Sequence, residues 1–213
     1  MATSPNTVSN IRTALPGTVL FIILYIVAAL LYPGGSQADP HSAHFSWQHN
    51  YWCNLLNKDA LNGQPNTARP IALAAMGILA ATLILFWYRF PGYMGFGRTG
   101  RLTMQIAGIL SMTFALLIAS SWHDTVINIS GGCGLIALAG TFSGLYMQRW
   151  WWLLTWGLFN LLLVLANTFV YNSGVFIDQL PVIQKISFFS FLAWISCVET
   201  FGLGQKSPHS QHR

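Results

Sequence analysis

Charged residues are scarce in this chain. Asp, Glu, Lys and Arg make up only 7% of its 213 residues, whereas an ordinary soluble domain carries about 25%. That composition cannot cover a globular surface with polar groups, while 54% of the residues are hydrophobic and the mean hydropathy is +0.50. Because lipid is the natural solvent for such a surface, we predict an all-α, polytopic membrane protein.

Acidic residues and cysteines are also few. The five acids leave a formal net charge of +5, but the basic residues stand one to three at a time between apolar runs. They form no patch that would suit a nucleic acid. The three cysteines include no C-x-x-C pair, so neither a disulfide framework nor a zinc ribbon can be inferred.

Six apolar runs are long enough to cross a bilayer, which needs about 20 largely apolar residues. They cover residues 14–32, 70–88, 102–121, 125–147, 150–170 and 182–201. We therefore expect a single domain of six transmembrane helices, with one long outer loop at 33–69 and a flexible tail at 202–213. Small residues at Ser36 and Ala38 resemble a signal-peptidase site after the first run, but we expect that run to stay attached as a helix.

Lysine and arginine set the expected orientation, because cytoplasmic loops carry an excess of both. With the N-terminus in the cytoplasm, only Lys58, Arg69 and Lys185 of the ten basic residues fall outside. An even number of spans then places both termini in the cytoplasm. The short loops and tails suit a bacterial inner membrane.

The predicted fourth span has small and polar residues on one face. Every fourth position belongs to the set Asp124, Asn128, Gly132, Ile136, Gly140 and Gly144. Gly140 and Gly144 form a G-x-x-x-G pattern, which lets another helix approach closely. We therefore expect this helix to be central in the bundle.

The middle of the long loop mixes aromatic and polar residues, reading H-F-S-W-Q-H-N-Y-W-C-N-L-L. This pattern predicts a short helix lying in the outer interface, with Trp52, Leu55 and Leu56 facing lipid or the bundle. Alternatively, the loop folds over the outer mouth of the bundle as a lid.

Polar residues gather in the outer halves of the last four predicted spans. They are Ser120, Ser121, His123, Asp124, Asn128, Asn167, Tyr171 and Lys185. Ionisable groups at membrane depth usually face the bundle interior or a water-filled cavity. We therefore expect an outward-facing polar pocket beneath the loop, with Ser121, Asn128, Asn167 and Lys185 as ligand-binding residues.

A metal site is the first interpretation of the histidines. Neutral imidazole is a good ligand for a divalent metal such as zinc, and His44, His49 and His123 are all predicted on the outer side. The alternative is that loop histidines beside aromatic residues simply lie at the interface. No H-x-x-x-H or H-E-x-x-H motif anchors the set.

Acid–base catalysis is the second interpretation. An imidazole and a carboxylate near a serine contain the groups for general-base activation. We expect His123 as the base, Asp124 in support and Tyr171 as a further catalytic residue. However, neighbouring residues on a helix point about 100° apart. His123 and Asp124 therefore each need a partner from elsewhere.

A structural role is the third interpretation. The Asp124 carboxylate would cap the fourth helix. Asn128, Asn160 and Asn167 would donate hydrogen bonds between helices, each contributing about 0.6–2 kcal/mol. In that case the polar residues only hold the bundle together.

Three short motifs resemble those of other proteins. They are L-Y-P-G-G at 31–35, N-Y-W-C-N-L-L at 50–56 and W-H-D-T-V-I-N at 122–128. On six apolar runs, they resemble uncharacterised bacterial multi-pass families of unknown function, which implies a fold but no activity. The seven-pass hydrolases that include alkaline ceramidases and progestin/adiponectin receptors differ, because they carry an H-x-x-x-H motif on the last span. Here span 182–201 has no histidine.

These features together favour an integral membrane protein whose outward-facing pocket binds or processes a lipid-like ligand. Whether it is an enzyme stays open, with hydrolysis as the favoured reaction. The alternative is a non-catalytic structural or assembly subunit of a membrane complex. The expected partners are membrane lipid and other membrane subunits, not nucleic acid. Ion conduction is disfavoured, because the inner halves of the spans carry almost no ionisable groups.

Overall fold

The structure is a computed structural model that describes residues 12–120 and 122–204. Within those ranges, the side chains at positions 119, 123, 124, 203 and 204 lie outside the described part. The predicted flexible tail begins at residue 202, so most of it falls outside the described residues.

The described residues form six α-helices and no β-strand, which confirms the all-α class. The helices are α1 Ala14–Leu30, α2 Arg69–Tyr93, α3 Arg98–Ala115, α4 His123–Met147, α5 Trp151–Ser173 and α6 Leu180–Gly204. Short 3-10 helices cover Trp52–Leu56, Leu116–Ala119 and Ile177–Gln179. Five of the α-helices, α2 to α6, are long and apolar enough to cross a membrane. This supports a multi-pass integral membrane protein, while α1 is a shorter apolar helix of 17 residues.

Helices α2 and α6 are the central elements, and the predicted central position of α4 is wrong. In α2 and in α6, 44% of the apolar 18-residue stretch is buried, but in α4 only 17% of that stretch is buried. Helix α2 packs against α1, α3, α4 and α6. Small residues permit these contacts, because Ala72 and Ala75 are fully buried and leave room for neighbouring helices. The polar and glycine pattern of α4 therefore did not identify the centre of the bundle.

The glycine pattern of α4 contributes to packing in only one half of the helix. A Cβ atom on Gly140 would lie 2.4 Å from Met104, and one on Gly144 would lie 3.0 Å from Met94. The groups that occupy this space are the side chains of Met104, Met94 and Phe96 rather than a helix backbone. At Gly132, by contrast, a Cβ atom would have no heavy atom within 4 Å.

Helix α1 is attached to α6 through a buried carboxylate. Glu199 accepts hydrogen bonds from the N–H groups of Thr13 at 2.8 Å and Ala14 at 2.6 Å, and from the Thr13 hydroxyl at 3.0 Å. The first N–H groups of a helix have no partner within the helix. A negative charge at this position also complements the helix dipole. The Glu199 carboxylate therefore fixes the start of α1 against the C-terminal part of α6.

We expect Gly108→Ala to destabilise the bundle. A Cβ atom at position 108 would lie 2.5 Å from both Cβ and Cγ of Trp87, and Trp87 is 2% exposed. Overpacking of this kind typically costs about 1–3 kcal/mol. The measurement is the thermal unfolding midpoint of the purified protein in detergent.

Gly132→Ala is the matched control for this substitution. It also replaces a helical glycine by alanine, which favours the helix by up to about 1 kcal/mol, and its Cβ atom enters open space. We expect its unfolding midpoint to equal or exceed that of the wild type. Equal midpoints for the 108 and 132 variants would contradict the close contact between α2 and α3.

Candidate functional site

Residues 31–68, here named the cap, join α1 to α2 and pack onto the ends of α2 and α6 through the 3-10 helix Trp52–Leu56. The predicted short helix is therefore present. Trp52, Leu55 and Leu56 are all buried, and the Trp52 ring lies 4.6 Å from that of Tyr25 and 5.5 Å from that of Phe189. The three side chains were predicted to face either lipid or the bundle, and they face the bundle.

The cap contains no β-strand, and asparagine side chains form hydrogen bonds with its backbone groups instead. The Asn66 amide nitrogen donates to the carbonyls of Asn54 and Leu55 at 3.2 Å and of Asn57 at 2.9 Å. The Asn54 side chain accepts from the Tyr51 N–H at 2.7 Å. Buried backbone groups need such partners to avoid a desolvation cost. These bonds therefore fix an irregular chain in one conformation.

Asn50 occupies the middle of this hydrogen-bond network and is fully buried. Its amide nitrogen donates to the Gly35 carbonyl at 2.9 Å, and its side-chain oxygen accepts from the Ser46 N–H at 2.7 Å. The Asn50 side chain therefore connects the start of the cap to its middle. The Asn50 backbone carbonyl accepts a separate hydrogen bond from outside the cap.

That donor is Lys185, which lies one turn inside α6 and is 6% exposed. Its ammonium group donates to the carbonyls of Asn50 in the cap and of Pro181 in α6, the latter at 3.0 Å. The same nitrogen lies 5.7 Å from the centre of the Phe45 ring, within the range of a cation–π contact. Lys185 thus holds the cap onto the first turn of α6.

A polar pocket of about 220 Å³ lies next to this contact. It is lined by Gln37, Ala38, His49, Tyr51, Ile177, Asp178 and Pro181. His49 and Tyr51 flank Asn50, whose carbonyl accepts from Lys185, and Pro181 supplies the second carbonyl. The hydrogen bonds of Lys185 therefore hold together two walls of the pocket, one from the cap and one from α6.

Burial keeps the phenol and thiol of this region protonated. Burial raises the pKa of Tyr51, and the electrostatic interactions of its phenol with Cys53, Tyr171 and Asp178 raise it further. Burial also raises the pKa of Cys53, although the positive charge of Lys185 partly opposes this. At neutral pH, Tyr51 is therefore a neutral hydrogen-bond donor in the pocket wall. Cys53 is a weak nucleophile, because the thiolate is the reactive form.

The structure separates several residues that the sequence suggested for one pocket. Lys185 donates a hydrogen bond to the cap, and it is not among the residues that line the pocket. Asn128 is exposed on α4, and Tyr171 is 68% exposed on α5. Asn167 donates to the Ser187 hydroxyl at 2.6 Å and so joins α5 to α6. Ser121, and the side chains of His123 and Asp124, lie outside the described part of the chain.

The proposed helix-linking asparagines differ from one another. Asn167 makes the expected bond between helices, whereas Asn128 faces outward. Asn160 is 4% exposed, and neither polar atom of its side chain has a partner within the described residues. The structural interpretation therefore holds for one of the three.

The metal set stays a prediction. Among the described side chains, no group of three or more His, Cys, Asp or Glu comes together. His44 is exposed, and His49 lies in the pocket wall. Because the third predicted ligand, His123, has no described side chain, the full set is not tested.

Gln37, Tyr51 and Asp178 were missed by the sequence reasoning. Asp178 lies in the six residues between α5 and α6, and Gln37 in the first part of the cap. Gln37 and Asp178 follow the ends of predicted spans, and Tyr51 belongs to the aromatic and polar middle of the predicted loop. Nothing in their spacing indicated that they would meet.

Protein-family models, curated proteins and solved structures were compared with this chain, and none matches.

We expect Lys185→Met to loosen the cap. The methionine side chain keeps much of the apolar stem of Lys185 but leaves the Asn50 carbonyl without its donor, at a typical cost of about 1–3 kcal/mol. Amide hydrogen exchange across residues 45–56 should accelerate, while α2 and α3 stay protected. The measurement is exchange followed by mass spectrometry.

Lys58→Met is the matched control, because Lys58 is an exposed lysine of the same cap. Its exchange pattern should equal that of the wild type. If both variants leave the exchange of residues 45–56 unchanged, Lys185 does not hold the cap.

Proposed function

We propose that this chain is an integral membrane protein of six spanning helices whose polar pocket binds the head of a lipid-like amphiphile. In this proposal the cap lies on the outer side of a bacterial inner membrane, and both termini are cytoplasmic. The 17 residues of α1 extend about 26 Å at 1.5 Å per residue. This is close to the roughly 30 Å of the hydrocarbon core, so α1 serves as the sixth span with little mismatch.

The observation that carries the proposal is the position of the pocket beside exposed apolar side chains. Val175 is 50% exposed, Phe176 72% and Ile177 38%, and Ile177 itself lines the pocket. A ligand with its polar head among His49, Tyr51 and Asp178 would lay an apolar tail against these residues. The pocket volume of about 220 Å³ is below the usual range for whole ligands, roughly 300–1,000 Å³. It suits a head group alone.

The backbone of Phe176 supports a functional role for this rim. Phe176 has φ 61° and ψ 26°, a left-handed conformation that is unfavourable for a bulky residue. Such conformations cost about 1–3 kcal/mol and cluster at functional sites. Here the strained backbone presents a largely exposed aromatic ring beside the pocket, at the end of α5 where a membrane interface is proposed.

The pocket groups favour a head that donates hydrogen bonds or carries a positive charge. Asp178 supplies a carboxylate, and the Gln37 side-chain oxygen supplies a further acceptor. An anionic head would meet the Asp178 carboxylate, and no lysine or arginine is among the described residues that line the pocket. We therefore propose an amine or polyhydroxyl head. Hydrolysis by His123, Asp124 and Tyr171 stays a further hypothesis that this binding role does not require.

A photoreactive amphiphile tests this proposal. We expect dodecylamine carrying a diazirine beside the amine to label peptides that contain residues 49–51 or 177–181. The corresponding dodecanoate reagent should label them weakly. Asp178 is exposed, and an exposed ion pair contributes up to about 1 kcal/mol, so Asp178→Asn should reduce amine labelling by up to about fivefold. The readout is peptide mapping by mass spectrometry of the protein in nanodiscs.

Asp59→Asn controls for a general loss of negative charge, because Asp59 is an exposed acid of the same cap. It should label like the wild type. Equal labelling by the amine and the carboxylate, or equal labelling of the 59 and 178 variants, would contradict the pocket. That result would favour the alternative function of a non-catalytic assembly subunit.

A further inference from the structure

A second and larger cavity lies on the side surface of the bundle between α3 and α4. This groove has a volume of about 480 Å³. It is lined by Arg98, Thr99, Leu102, Thr103, Ile106, Ala107 and Leu110 of α3, and by Cys133 and Ile136 of α4. Leu102, Ile106, Leu110 and Ile136 are each more than 40% exposed. The groove therefore opens to the surroundings of the bundle.

The packing of α3 on α4 fixes one end of the groove. The Ser111 hydroxyl donates to the Ser130 carbonyl at 2.8 Å, and the Ser130 hydroxyl donates to the Ser111 carbonyl at 2.9 Å. These reciprocal bonds hold the two helices together just beyond Leu110. On α3, Ala107 contributes only a methyl group to the groove. The groove therefore runs along a helix pair that is packed and hydrogen-bonded at one end of it.

The dimensions of the groove fit one hydrocarbon chain. From Arg98 to Leu110, α3 rises about 18 Å at 1.5 Å per residue, slightly more than half of the roughly 30 Å hydrocarbon core. A volume of about 480 Å³ divided by about 18 Å leaves a mean cross-section of about 27 Å². A helix about 10 Å across needs about three times that area. A whole helix from a second copy of this chain is therefore too wide to enter the groove, and it would fill the groove with side chains only.

The charge of the groove is confined to one end. Arg98 lines the groove at the start of α3, beside the Thr99 hydroxyl, and Arg101 follows one turn later. The rest of the lining is apolar apart from Thr103 and Cys133. An occupant that matches this pattern has one anionic group at the Arg98 end and a single apolar chain along the remainder. Basic residues at a membrane surface attract anionic lipids by about 1 kcal/mol each.

We infer that this groove holds one acyl chain of an anionic phospholipid, with its phosphate at Arg98. The lipid belongs to the leaflet on the Arg98 side, which is the side of the bundle remote from the cap. This site is separate from the polar pocket, because the two share no lining residue. The proposal does not depend on the function proposed for that pocket.

Native mass spectrometry of the full chain tests the site. The protein is released from vesicles that contain equal amounts of phosphatidylglycerol and phosphatidylcholine. We expect the wild type to retain one phosphatidylglycerol in preference to phosphatidylcholine. Arg98→Gln should weaken phosphatidylglycerol retention about fivefold, the change that corresponds to about 1 kcal/mol. Ile106→Trp, which fills the groove, should abolish retention of that lipid.

Leu162→Trp is the matched control, because Leu162 is a 63% exposed residue of α5 outside the groove. It adds the same bulk to the side surface and should retain phosphatidylglycerol like the wild type. Equal retention of the two lipids by the wild type, or unchanged retention in Ile106→Trp, would overturn the proposal. A dimer that Ile106→Trp dissociates would also overturn it, since a second copy would then be the occupant.

Discussion

The bond network of Lys185 is the constraint on which the cap and its pocket depend. Moving an ammonium group out of water costs several kcal/mol unless donors and acceptors are matched. Here the carbonyls of Asn50 and Pro181 accept from it, and the Phe45 ring lies beside it. One of these carbonyls belongs to the cap and the other to α6. The hydrogen bonds of this one cation therefore fix the position of the irregular cap on α6. The pocket exists where those two elements meet.

Helix α6 carries a buried charge toward each end. Lys185 ties its first turns to the cap, and Glu199 ties its far end to the start of α1. The carboxylate binds the first N–H groups of α1, and the ammonium binds two backbone carbonyls, so the two charges do not pair with each other. These bonds give two of the few charged residues of the chain partners inside the bundle, where α6 is among the most buried helices.

The helical class and the approximate positions of the helices could be predicted, because long apolar runs leave the backbone no other way to satisfy its hydrogen bonds. The short helix at Trp52 was also predictable from its aromatic pattern. The central helix was not, since the glycines of α4 indicated close packing without showing how much of the helix is covered. Lys185 was predicted to bind a ligand, whereas its partners are the backbone carbonyls of Asn50 and Pro181, which no side-chain pattern reveals. Asp178 and His49 meet only because the cap folds back onto α6.

Nitrogen-15 NMR of lysine-labelled protein tests the role of Lys185 most directly. The chain has only three lysines, Lys58, Lys185 and Lys206, so the spectrum is simple. An ammonium group that is buried and hydrogen-bonded exchanges its protons slowly, whereas exposed lysines exchange too fast to be observed near neutral pH. We expect one slowly exchanging ammonium signal in the wild type, and its loss in Lys185→Met. A wild-type spectrum without such a signal would contradict the account.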